Sequence, residues 1–76
     1  MEKSTTEILV TKNYQLVVIT ETRDGKCKVT LKSRYLLATR PDALRTIFDV
    51  MLDEDQMVAF HRALNQGLVH LAMSMR

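Results

Sequence analysis

The chain has 76 residues and a formal charge of +2, enough for one small domain over residues 1–76 and too even a balance to single out nucleic acid or an acidic partner. A domain of this size hides only about 60% of the surface its unfolded chain exposes, and the single cysteine, Cys27, excludes an intrachain disulfide as reinforcement. Cys27 with His61 and His70 does not make a paired-ligand zinc set, so neither a structural metal nor a cofactor is expected, and association through the 46% hydrophobic residues is the remaining support.

The first six residues, Met1 to Thr6, are polar and are expected as a flexible lead-in without the apolar stretch of a secretory leader. No apolar run approaches the roughly 20 residues a bilayer crossing needs, so a cytoplasmic protein without membrane attachment is expected. Glu7 to Thr11 reads as a short strand, with Lys12-Asn13 as a turn.

Asp24-Gly25 is a favoured centre for a two-residue type I′ hairpin, since both positions take positive φ. With that turn, Tyr14 lies opposite Tyr35 and Arg23 opposite Lys26. One face then collects Tyr14, Leu16, Val18, Thr20 and Thr22 with Cys27, Val29, Leu31, Ser33 and Tyr35. The other collects Gln15, Val17, Ile19, Glu21 and Arg23 with Lys26, Lys28, Thr30, Lys32 and Arg34. A slip of one residue would mix the apolar and charged sets, so the pattern itself argues for this register.

Thr39-Arg40-Pro41-Asp42 has the chemistry of a helix start, with Thr39 as cap and Asp42 near the positive end of the dipole. Leu44, Ile47, Phe48 and Met51 follow at i, i+3, i+4 and i+7, which predicts a first helix over about 41–51. Asp53 and Gln56 are spaced as a capping box for a second helix, whose stripe would run Met57, Phe60, Leu64, Leu68, Leu71 and Met75. Gly67 costs about 1 kcal/mol inside a helix and suits a left-handed cap, so a helix ending there with a strand over 68–75 is the alternative. The expected fold is α+β: an antiparallel hairpin or three-stranded sheet with two helices packed on one face.

Charge divides unevenly along the chain. Residues 1–40 carry eight Lys and Arg against four Asp and Glu, whereas residues 41–76 carry three against five. Arg23, Lys26, Lys28, Lys32 and Arg34, with Arg40 close behind, form an array that could track a phosphate backbone or meet a protein partner. The competing account is that these residues keep an exposed sheet solvated and unpaired. The tyrosines fall on the opposite face, where they cannot stack on bases bound to the lysines.

Leu68, Leu71, Met73 and Met75 belong to an apolar C-terminal segment larger than a small domain readily buries, and they are the candidates for self-association. For catalysis, His61, His70, Cys27, Ser33, Ser74 and the acids Asp49, Asp53, Glu54 and Asp55 show no spacing that brings nucleophile, base and orienting group together. The acids at 53–55 suit a helix start. No catalytic residue is assigned.

Asn13-Tyr14-Gln15-Leu16 entering a hairpin, then Arg34-Tyr35-Leu36-Leu37-Ala38-Thr39 leading to Asp42-Ala43-Leu44, resembles small uncharacterised proteins encoded by bacteriophages and prophages. The resemblance spans about residues 13–66, and the strongly charged second helix of many such proteins is missing. It implies a bacterial cytoplasm and a role as a regulator or inhibitor that binds a host protein. It assigns no functional residues. The sequence therefore points to a non-catalytic, homodimeric protein-binding module, with single-stranded nucleic-acid binding through the basic face as the alternative.

Overall fold

The computed structural model describes residues 1–37 and 44–75. Four strands, β1 (Glu2–Thr11), β2 (Tyr14–Arg23), β3 (Lys26–Tyr35) and β4 (Arg45–Asp53), form one antiparallel sheet in the order β1-β2-β3-β4. Among the described residues a single helix, α1 (Glu54–Ser74), follows. Chain order and spatial order coincide, so the sheet is a meander with β1 and β4 at its edges.

The central hairpin has the register read from the sequence. Tyr14 pairs with Tyr35, Arg23 with Lys26, and every pair between follows without a slip. Asp24 and Gly25 sit at φ 54° and 74°, the left-handed pair that a type I′ turn requires. The Leu36 amide donates to the Asn13 carbonyl at 2.8 Å and extends the ladder past the last strand pair.

β1 is longer than the expected Glu7–Thr11. It pairs with β2 from Glu2↔Thr22 onward, so residues 2–6 lie within the strand. Leu9 faces Gln15 and Thr11 faces Tyr14, which leaves Val10 as a bulge beside the Lys12-Asn13 turn. Within that turn the Asn13 amide donates to Thr11 Oγ1 at 3.3 Å.

Two expectations fail in the second half. Of the residues expected as a first helix over 41–51, residues 45–51 belong to strand β4 instead, so among the described residues the sheet has four strands and is followed by one helix rather than two. Thr39, Arg40, Pro41 and Asp42, which carried the expected helix start, lie outside the described residues. The physical reason lies in ambiguous spacing. Leu44, Ile47, Phe48 and Met51 fit a helical stripe, but Phe48, Val50 and Leu52 alternate as strand residues and lie opposite Leu31, Val29 and Cys27. Ile47 is the bulge that reconciles the two periods, since Leu31 faces Phe48 and Lys32 faces Thr46. Thr46, Ile47, Phe48 and Val50 are all residue types that suit a pleated surface. The free edge of β3 supplies the ladder that a short surface helix would lack.

The alternative of a strand after Gly67 also fails, because α1 runs through Gly67 to Ser74. The helix start follows its sequence signature. Asp53 Oδ1 accepts from the Gln56 amide and Gln56 Oε1 accepts from the Asp53 amide, both at 2.9 Å, which closes the capping box.

The core is small. Among the described residues the buried apolar side chains are Val17, Cys27 and Val29, with Thr30 the buried polar one. Among the described elements the helix touches only β3 and β4. The molecule measures 41 × 40 × 17 Å with a radius of gyration of 14.7 Å, against about 11 Å for a compact chain of this length. No described helix is long and apolar enough to cross a membrane.

Candidate association surface

Pairing assigns each strand residue to one of two sheet faces, because directly opposed residues share a side. On the apolar face, Ile8 joins from β1 and Phe48, Val50 and Leu52 from β4, extending the Leu16, Val18, Val29 and Leu31 set of the hairpin across all four strands. Cys27 and Val29 are buried at the end of this face nearest the helix start. There a hollow of about 310 Å³ opens between Cys27, Leu52 and Met57, with Thr22 and Lys26 at its rim. Toward the other end Ile8, Tyr35 and Phe48 are exposed, as is Val50 on the edge strand opposite Val29.

The helix carries the second apolar surface. At 3.6 residues per turn Met57, Phe60, Leu64, Leu68, Leu71 and Met75 fall on one stripe. Met57 and Phe60 are half-buried at the start of the helix. The rest of the stripe is uncovered, with Leu64 64%, Leu68 63%, Leu71 56% and Met75 79% exposed. Of the residues singled out for self-association, Leu68, Leu71 and Met75 share this stripe. Met73 projects from the opposite side of the helix, with Arg62 and Val69 nearby in angle.

The charged face holds Arg23, Lys26, Lys28, Lys32 and Arg34 together as the alternation requires. Arg40 lies outside the described residues. The neighbouring strands change the character of this array. β1 brings Lys3 and Glu7, and β4 brings Asp49 and Asp53, with Asp53 directly opposite Lys26. Glu21 stands between Lys3 and Lys28, and its carboxylate lies 3.8 Å from Lys3 Nζ. Arg34 is committed within the sheet: its Nη1 donates to Gln15 Oε1 at 3.1 Å, and Gln15 Nε2 donates to Glu7 Oε2 at 3.1 Å. This row ties β3, β2 and β1 together on one face. Acids thus interleave the lysines that looked continuous in the hairpin alone.

Val17 and Ile19 are apolar residues on this charged face; Val17 is 2% exposed and lies in a cross-strand row between Glu7 and Lys32. Long charged side chains in such positions lay their aliphatic stems along an apolar neighbour.

The remaining chemical candidates are dispersed. Cys27 is a buried free thiol whose Sγ lies 3.9 Å from the Lys28 carbonyl oxygen. His61 and His70 are both exposed and point to nearly opposite sides of α1. Ser74 Oγ donates to the Leu71 carbonyl at 2.9 Å, an intrahelical bond near the C-terminus. Among the described residues, no cluster of three or more His, Cys, Asp or Glu side chains stands within reach of one metal ion.

The sequence reading missed Ile8, Phe48 and Val50 as members of the open surface. The sequence places Ile8 in the Glu7–Thr11 strand, but its face depends on a pairing with β2 that local pattern does not give. The signal for Phe48 and Val50 was their alternation with Leu52, masked by the competing helical spacing. Comparison with protein-family models, curated proteins and solved structures finds no match, so the resemblance to small bacteriophage proteins stays an expectation.

Proposed function

We propose that this chain is a non-catalytic protein-binding module that acts as a homo-oligomer, with its apolar sheet face and helix stripe forming the contact between copies. Its charged face is then the side turned to solvent or to a further protein partner.

One observation carries this reading. The chain exposes 6353 Å², whereas a compact monomer of 8.8 kDa exposes about 4,800 Å². Beside this excess of about 1,600 Å² stand two apolar surfaces that remain exposed among the described residues, the Leu64–Met75 stripe and, on the sheet, Phe48 and Val50. Exposed apolar surface on this scale marks an interaction site.

Sedimentation velocity across a wide concentration range tests the reading. The expected result is a species of at least twice the chain mass at low micromolar concentration. A single monomeric species persisting to high micromolar concentration overturns it.

A further inference from the structure

Resting on that reading, we infer that the open sheet face of one copy is occupied by the C-terminal part of α1 from a second copy, reciprocally, so that two helices and two sheets form one shared core.

The geometry first excludes the simpler arrangement, in which the helix lies back along its own sheet. β4 ends at Asp53 and α1 begins at Glu54, with no residue between them. Connections from one element to the next in such units take about 2–6 residues when the chain must reverse. Here Asp53 is both the last strand residue and the helix cap, held in extended backbone at φ −82° and ψ −178° by its two hydrogen bonds with Gln56. The helix therefore leaves the sheet at the point where it starts, and its stripe beyond Phe60 stays bare.

The same chain presents the surface that this stripe fits. From Leu64, where the bare stripe begins, to Ser74 the helix has 11 residues, about 16 Å, which fits within the length of the sheet. The central strands have ten, about 33 Å. Both surfaces are apolar, and each is left over by the other's departure. A two-fold pair satisfies both at once, since residue i of one copy meets residue j of the other and the reverse. A partner of another kind would have to supply a helix for the sheet and a sheet for the helix.

Area and edges agree. The excess of about 1,600 Å² per chain is about twice one side of a standard interface and falls in the range of obligate dimers. Edge-to-edge pairing is the other common route to a dimer of sheets, but it would leave both apolar surfaces exposed, and the β4 edge carries a bulge at Ile47. Bulges interrupt the ladder that such pairing needs.

The test uses the unaltered protein. Equal amounts of uniformly carbon-13-labelled chain and of unlabelled chain are mixed, unfolded and refolded together, and isotope-filtered NMR records contacts between a labelled and an unlabelled copy only. The expected result is cross-peaks from the Leu68 and Leu71 methyls to the Phe48 ring, present in the mixture and lost in a fully labelled control. A dimer in which those cross-peaks are missing, while the same contacts appear within one chain, overturns the reciprocal arrangement and leaves self-association standing. A dimer with neither set of contacts also overturns it. A monomer by sedimentation at the concentration of the NMR sample overturns both readings.

Discussion

Asp53 closes β4, caps α1 and stands opposite Lys26 across the β3–β4 ladder, so one side chain sets where the helix leaves the sheet. Replacing an N-cap aspartate by alanine costs about 1 kcal/mol. Asp53→Ala is expected to lower stability by that amount in urea titration, with most of the loss in helical circular dichroism. Gly25 gives a second residue-level test. At φ +74° a Cβ would meet nothing within 4 Å, so the cost of Gly25→Ala is backbone strain alone, about 1–2 kcal/mol. Arg34 differs from its lysine neighbours because it bonds Gln15 inside the sheet. Arg34→Ala should cost about 1 kcal/mol, and exposed Lys28→Ala should stay within about 0.5 kcal/mol. Equal effects at both positions would contradict the structural role assigned to Arg34.

Elements differ in how well the sequence specified them, and the difference has a physical basis. The central hairpin was legible to the individual pair, because a two-residue turn with positive φ at both positions leaves no freedom of register. The capping box was legible for the same reason, as it needs only residues three apart. β4 was not, since whether Ile47 and Phe48 join a helix or a strand depends on a free edge of β3 that local spacing does not reveal. The basic face was half legible. Its lysines and arginines could be placed, but the acids that break it up arrive from strands whose pairing was unknown. The consequence is testable, because interleaved acids repel phosphates that the lysines would attract. Retention of a single-stranded oligonucleotide is expected to be negligible even at low salt, and affinity that falls steeply with added salt would restore the nucleic-acid reading. Gly67 tests the helix itself. It lies inside α1, where a Cβ would meet nothing within 4 Å, so Gly67→Ala should raise stability by about 1 kcal/mol. A strand beginning at 68 would make the same substitution destabilising, because the glycine would then hold a left-handed cap.

For the whole molecule, three buried apolar side chains among the described residues are too few to hold 21 helical and 39 strand residues in place alone. Fixing each residue costs about 1–2 kcal/mol of backbone entropy, and only apolar burial on a larger scale offsets it. If that burial is supplied by a second copy, folding and association are one equilibrium, and the melting temperature must rise with protein concentration. Calorimetry at concentrations spanning two decades reads this directly, and a midpoint that does not move would separate folding from association. Leu68→Glu combined with Leu71→Glu then removes two stripe residues from each copy. At about 1.5 kcal/mol for each leucine, the four lost contacts of a dimer amount to about 6 kcal/mol, roughly four decades in Kd. The doubly substituted chain should sediment as a monomer with little tertiary structure. The pair Met73→Glu and Arg62→Glu, on the other side of the same helix, adds as many acids per chain while sparing the stripe, and should leave the dimer in place. Equal disruption by both pairs would trace the effect to charge or lost helix rather than to the stripe.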